Sequence, residues 1–277
     1  MTDRVRLLQH KTEAYWFYRV LSLVYDRWVN PLFWTPQMRA AALAAAELDA
    51  RSLRTLDVGA GTGFTTEGIV EHVDAERVTM LDQSPHQLAR ARTKPALAGC
   101  AKLLGDAEAL PFAADSFDRY VSAGSIEYWP DPQRAVTEAY RVLRPGGRAV
   151  LIGPVRPANA LLRRLAEAWM LFPTEAQYRE WVTRAGFADI ALVELAPPWY
   201  RSTRGAYGVA VSGRKPNAGA SPLAPASPSE VLHVPTGRRA RLRASLRFAG
   251  GSLAGALFVP LAAVLALRHR LHERRAR

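Results

Sequence analysis

Thr55-Leu56-Asp57-Val58-Gly59-Ala60-Gly61-Thr62-Gly63 is a short apolar strand running into three alternating glycines. Such a junction describes a turn built around a bound nucleotide, because glycine lets the backbone bend sharply and approach a ligand closely. A dinucleotide-binding turn places its third glycine three positions after the second, where it brings helix and strand together and leaves room for pyrophosphate. Phe64 stands at that position here. The glycines at 59, 61 and 63 thus depart from the pyrophosphate pattern. A plain tight turn uses the same residues, so the residues downstream decide between the readings.

Outward from this turn, strand-like runs occupy 54–59, 77–82, 118–122 and 148–153, each apolar or β-branched and bounded by a turn residue or a charge. Helical patterns lie between them, from Gly63 to about His72, Ser84 to about Leu97, Asp131 to Leu143, and Thr174 to Ala185. Asp131-Pro132 opens the third of these with a capping residue and a proline in the first turn, and Arg144-Pro145-Gly146-Gly147 closes it. Alternating strand and helix predicts a mostly parallel sheet with both faces covered. Runs 188–195 and 207–213 add an antiparallel pair, for seven strands in all. With 277 residues, the chain can bury one substantial core, so one α/β domain with appendages is expected.

The formal net charge of +12 raises nucleic acid as a partner, but its distribution argues against one. Ten arginines and a single acid, Glu273, fall in residues 238–277, while in residues 1–237 the 27 basic side chains face 24 acids. The body is close to balanced, and the basicity belongs to a tail. Residues 214–247 form a Pro/Ala/Ser-rich and then basic linker without a core of its own. Residues 248–267 follow with no charge, roughly the ~20 residues that a helix needs to cross a bilayer. Arginines fence both ends of that run, which favours a transmembrane helix over a buried core helix, and residues 268–277 are a basic tail. Gly251 and Gly255 either seat a second copy of the helix as a weak homodimer or are merely tolerated. Residues 1–36 are the most aromatic segment, with Phe17, Val24 and Trp28 at helical spacing, read as a helix that docks on the domain or a lid over an apolar substrate. The first 14 residues hold Asp3 and Glu13 and no serine, so a full transit peptide is not expected among them. Cys100 is the single cysteine, which excludes a disulfide framework and a cysteine-clustered metal site and leaves it as a small apolar filler.

Asp82 lies about 20 residues past the glycines, the distance expected of an acid that binds ribose hydroxyls; a loop aspartate capping the helix at Ser84 is the competing reading. Gly105-Asp106-Ala107-Glu108 follows the third strand, and Leu110-Pro111-Phe112 comes after it. With the glycine turn and Arg144-Pro145-Gly146-Gly147, these segments resemble class I S-adenosylmethionine-dependent methyltransferases. The resemblance implies a Rossmann-like fold over residues 37–213, with S-adenosylmethionine as co-substrate and no metal. It implies cofactor contacts from Asp57, Gly59, Gly61, Gly63, Asp82, Gln83, Asp106, Ala107 and Ser122, with Asp106 and the Ala107 N–H reading adenine.

Longer stretches resemble one group, the 2-methyl-6-phytyl- and 2-methyl-6-solanesylbenzoquinol methyltransferases of plastids. They are Gln9-His10-Lys11, Tyr15 to Arg19, Asp82 to Leu88, Tyr120 to Arg134, Trp169 to Pro173 and Trp199-Tyr200-Arg201. This resemblance implies C-methylation of a prenylated quinol, for tocopherol and plastoquinone, by a single-pass protein of the chloroplast inner envelope. Ligands in open α/β sheets bind beyond the carboxyl ends of the strands, so Ser125, Glu127 and Tyr128 are the expected contacts to the quinol hydroxyls. Glu127 is the candidate base, or else a capping or salt-bridging residue; His10 and His86 are weaker candidates. A sterol or other lipid methyltransferase and a non-catalytic S-adenosylmethionine-binding membrane protein are the alternatives. Ser122-Ala123-Gly124-Ser125 replaces the Asn/Asp-Pro-Pro-Tyr/Phe sequence that clamps a nucleobase amine, which again disfavours a nucleic-acid substrate.

Overall fold

The computed structural model describes residues 33–160, 163–164, 166, 171–200 and 205–223, together with positions 242, 246, 249, 253, 260, 264, 267 and 268. The N-terminal aromatic segment up to residue 32, His10 within it, most of the uncharged run 248–267, and Gly251 and Gly255 lie outside the described residues. Seven strands form one sheet: β1 (Thr55–Val58), β2 (Val78–Asp82), β3 (Ala101–Leu104), β4 (Phe117–Ala123), β5 (Leu143–Pro154), β6 (Ala188–Leu195) and β7 (Gly208–Arg214). Their order is β3-β2-β1-β4-β5-β7-β6, and only the pairs made by β7 are antiparallel.

Side chains alternate across the strands, and the inner strands β1, β2, β4 and β7 are buried on both faces while the edge strands β3 and β6 are largely exposed. Leu56, Val58, Leu81, Tyr120 and Leu151 point to one side, where they pack with α4 (Pro132–Val142) and α5 (Glu175–Ala185). Val78, Met80, Val121, Val150 and Ile152 point to the other, against α1 (Pro36–Ala44), α2 (Phe64–Ile69) and α3 (Pro85–Arg92). The helix starts carry the expected caps: Ser84 Oγ accepts from Gln87 N, Asp131 from Arg134 N, and Thr174 with Gln177 makes a capping box. Cys100 is a buried free thiol, as its filler role requires.

Three local expectations change. The helix after Ser84 stops at Arg92, and a separate 3₁₀ turn, Pro95–Leu97, follows it, because Pro95 supplies no N–H to continue the ladder. Arg144-Pro145-Gly146-Gly147 does not turn the chain away from the fourth helix; it is the first part of β5. It is held there by Gly146 N–H donating to Lys215 O at 2.8 Å and Lys215 N–H donating to Gly147 O at 2.8 Å. The chain also does not leave the domain after Gly213. Lys215 is fully buried, its Nζ pairs with Asp115 Oδ1 at 2.7 Å and sits 4.8 Å from the Tyr140 ring, and Ser221 Oγ donates to Ala185 O. Among the described residues no helix is long and apolar enough to cross a membrane.

Lys215 closes the sheet from one end, so its truncation tests that closure. Lys215→Ala should lower unfolding free energy by about 2–4 kcal/mol in urea titration, while Lys215→Met, which keeps the buried stem, should lose roughly half as much. Asp115 is partly exposed and regains water when the pair is lost, so the deficit comes from packing.

Candidate active site

Strand order reverses between β1 and β4, and the crevice at the carboxyl ends of the strands at such a reversal is where open α/β sheets bind ligands. The glycine turn after β1 takes positive φ at each predicted glycine, 69° at Gly59, 57° at Gly61 and 87° at Gly63. L-residues with a Cβ rarely adopt these values. Gly59 N–H and Ala60 N–H both donate to Leu81 O, and Gly61 N–H donates to Asp82 Oδ2 at 2.8 Å. Asp82 Oδ1 accepts from Ser84 N at 2.8 Å. Asp82 is therefore a buried acid that braces the turn, and the capping of the following helix falls to Ser84.

Asp57 is wholly buried in β1, where Oδ2 accepts from Thr66 Oγ1 of α2 at 2.6 Å and Oδ1 has no partner among the described residues. Burial pushes the Asp57 carboxyl up to about 7, with the Asp82 charge adding and the Thr66 hydroxyl opposing. Burial likewise raises Asp82 to about 6 against the two backbone N–H donors. Gln87, on α3, is buried with Oε1 unpartnered, about as far as van der Waals contact from where a Gly61 Cβ would lie. Gln87 was not among the expected cofactor contacts, and its burial and open oxygen come from the tertiary packing of α3. Gln83 is exposed and His86 half-buried at the start of α3. Asp106 Oδ1 accepts from Glu108 N at 3.0 Å, and Ala107 is buried beside it.

After β4, the loop 124–131 returns over the turn. Ser122 Oγ and Ser125 Oγ lie 2.7 Å apart, and a Cβ at Gly59 would stand 2.6 Å from Ser125 Oγ. Ser125, expected on the acceptor side, is thus packed on the glycine turn together with Ser122, and Gly59 is bare because that serine fills the space. Glu127 lies in the 3₁₀ turn Ile126–Tyr128, buried, with Oε2 unpartnered among the described residues and Oε1 near Gly124. Among the described residues it makes neither the cap nor the salt bridge that sequence allowed. Burial raises its carboxyl to about 8. Tyr128 is half-buried in the same turn. At this edge Trp199, Tyr200 and Tyr207 stack edge to face with centroids 5.1 to 6.3 Å apart, joined by Phe33.

The fit to S-adenosylmethionine can be tested on these atoms. The ligand carries a sulfonium and an ammonium, and the crevice holds two buried carboxyls, a glycine turn open to close approach and unpartnered oxygens on Asp57 and Gln87. Oxygen acceptors in a dry pocket match a cationic, donor-rich ligand. No group of three or more His, Cys, Asp or Glu side chains suited to a metal ion occurs among the described residues.

Comparison with known proteins agrees with this geometry. Residues 56–151 match the model of a methyltransferase domain. A chloroplastic 2-methyl-6-phytyl-1,4-hydroquinone methyltransferase 2 of Oryza sativa subsp. japonica is 59% identical over 221 residues, 79% of this chain and 64% of that protein. Its Arabidopsis thaliana counterpart is 53% identical over 257 residues, 92% of this chain and 75% of that protein. The chain belongs to the 2-methyl-6-phytyl-1,4-hydroquinone methyltransferase family. It spans just under two thirds of the length of the rice relative. A solved S-adenosylmethionine-dependent methyltransferase of Thermotoga maritima superposes with a TM-score of 0.56 at 22% identity, over 73% of this chain and 99% of that one, which bears on the fold alone. Family and fold together give this chain the Rossmann-like architecture of class I methyltransferases.

The buried carboxyls give the free protein a pH dependence of definite sign. Asp57, Asp82 and Glu127 have folded-state values raised above their unfolded ones, to about 7, 6 and 8. The native state then binds more protons than the unfolded chain, and their contribution, present below pH ~4, is lost as pH rises through those values. Glu127→Gln should therefore match the wild type at pH 5 and exceed it by on the order of 1–3 kcal/mol at pH 9 in urea unfolding.

Proposed function

We propose that this chain methylates a ring carbon of a prenylated hydroquinone, a 2-methyl-6-phytyl or 2-methyl-6-solanesyl benzoquinol, on the route to tocopherol and plastoquinone. The observation that carries the reading is the buried Glu127 carboxyl, its Oε2 without a partner among the described residues and its value held near 8, on the loop above the glycine turn, in a chain whose relatives are named for that substrate. A phenol is a weak acid, and a carboxylate with a raised value is a better match for its proton than an ordinary one.

Glu127 takes the proton of one quinol hydroxyl, and negative charge spreads to the ring carbons beside that oxygen. Bound in the crevice, S-adenosylmethionine supplies an electrophilic methyl. The carbon next to the phenolate forms the new C–C bond, S-adenosylhomocysteine leaves, and the ring hydrogen departs as a proton. Orientation is the larger part of the work, since reacting atoms held at roughly 3–3.5 Å gain several orders of magnitude in rate. Gly61 lets the backbone approach the cofactor, Gly59 and Gly63 hold the turn around it with Ser125 and Leu97 packed against them, Asp82 and Gln83 hold its ribose side, Asp106 and Ala107 hold adenine, and Asp57 and Ser122 face the methionine end. Ser125 serves the cofactor side with Ser122, which leaves Tyr128 to share the acceptor hydroxyls with Glu127. Trp199, Tyr200 and Tyr207 offer the ring and its chain an apolar wall.

The prenyl tail requires access to lipid. Residues 248–267 are proposed as a single span in the chloroplast inner envelope, supported by their lack of charge and by the chloroplastic relatives. Leu242, Leu246, Leu253, Val264 and Leu267 are helical and exposed at the described positions, which suits side chains facing hydrocarbon.

Product analysis with labelled S-adenosylmethionine and reduced methyl-phytyl and methyl-solanesyl benzoquinols should give ring-methylated product. Methylation of catechol or RNA alone would reject the substrate, and cofactor binding with no methylated lipid would favour a non-catalytic binder. Glu127→Gln should lower kcat by about a hundredfold or more with KM little changed, and the wild-type rate should climb with pH about a midpoint near 8. Deleting residues 238–277 should leave turnover of detergent-dispersed quinol near normal and reduce turnover of quinol held in liposomes; equal loss in both would assign the tail to the active site.

A further inference from the structure

Glu108 sits between the two halves of the site, and neither half accounts for it. It follows Ala107 in the loop after β3, is buried, and donates its own N–H to Asp106 Oδ1 at 3.0 Å. The same loop is joined to the ribose side by Gly105 N–H donating to Asp82 O at 3.1 Å. In the other direction, Glu108 Oε1 accepts the N–H of Asp131 at 2.9 Å, and its main-chain carbonyl accepts from Arg134 Nε at 2.6 Å. Asp131 is the last residue of the loop 124–131 and the cap of α4.

Further along, α4 holds the same segment again. Glu138 Oε2 accepts from Leu110 N at 2.8 Å, and Arg141 donates to Leu110 O at 2.9 Å and Phe112 O at 2.6 Å. The later contacts fix the loop after β3 to the body of the helix. The Glu108 contacts reach instead the point where the acceptor loop becomes helix. The first N–H groups of a helix have no partner within it, so the Asp131 N–H depends on an acceptor from elsewhere, and Glu108 is that acceptor from 23 residues earlier in the chain.

We infer that Glu108 is a positioning residue that ties the acceptor loop 124–131 to the cofactor-facing loop 105–109, so that filling the cofactor site orders the loop that carries Glu127. The inference rests on the crevice being the S-adenosylmethionine site, but not on which acceptor is methylated. Ordering of one loop by the other is a coupling between two ligand sites, and such coupling is reciprocal: whatever the cofactor gives to acceptor binding, the acceptor gives back.

Hydrogen exchange on the full chain, with and without S-adenosylhomocysteine, tests it without turnover. In the wild type, the ligand should slow exchange in both 105–112 and 124–131. In Glu108→Ala, protection of 105–112 should persist while 124–131 exchanges about tenfold faster and no longer responds. Glu108→Gln should restore the response, because its amide oxygen can accept the Asp131 N–H. Acceptor KM should rise and kcat fall, each about tenfold, in Glu108→Ala alone, with S-adenosylhomocysteine affinity within about threefold of wild type. Should Glu108→Ala fail to fold, Arg134→Ala severs the second tether and should show the same unresponsive loop. A wild-type loop indifferent to the ligand, a loop still responsive in the folded alanine variants, or a glutamine variant as impaired as the alanine one would each overturn the inference. A wild type that shows the exchange pattern yet methylates no quinol would refute the substrate reading and leave this one standing.

Discussion

The carboxylate of Asp82 holds the glycine turn to the end of β2, and every loop of the site is placed relative to that junction. One oxygen takes the N–H of Gly61, the other the N–H of Ser84, and Leu81 O takes Gly59 and Ala60 from the same side. A turn with three consecutive alternate positions at positive φ has little intrinsic preference for one shape. The bonds to β2 select that shape, and burial strengthens them by excluding competing water. The same acid keeps lone pairs for a ligand, so bracing and binding draw on one residue.

Burying carboxyls in β1, at the end of β2 and in the loop after β4 is unfavourable for the free protein, because Asp57, Asp82 and Glu127 each lose hydration and, among the described residues, none pairs with a cation. The arrangement makes sense as a site for a ligand of opposite charge on one side and a proton on the other. Asp57 and Asp82 cluster about the turn, where the proposed sulfonium-bearing ligand would offset their desolvation. Glu127 stands apart on the acceptor loop, where a raised value suits it to exchange a proton near neutral pH. Environment separates two roles within one residue class.

The fold itself says less. A solved methyltransferase shares it at 22% identity, and such a likeness leaves chemistry open. What narrows the reading is identity of 53–59% to relatives named for one substrate, together with particular side chains at the site: the serine pair on Gly59, Glu127 with its open Oε2, and the aromatic group of Trp199, Tyr200 and Tyr207.

Much of this was readable in advance, for local reasons. The alternating strands, the glycines at 59, 61 and 63, the acid at 82 and the caps at Ser84, Asp131 and Thr174 are short-range patterns, set by backbone sterics and by helix N–H groups in need of acceptors. Sequence also separated the balanced body from the basic, uncharged-then-basic tail. Tertiary structure alone decided that Arg144 to Gly147 run into β5 rather than turn away, since Lys215 holds them from 69 or so residues onward. It alone decided that Ser125 rests on Gly59, that Glu127 Oε2 finds no partner among the described residues and that Glu108 reaches Asp131. These contacts join segments that the crossover order of the sheet brings together, and no local propensity encodes which distant side chain will arrive at an open N–H or leave a carboxylate bare.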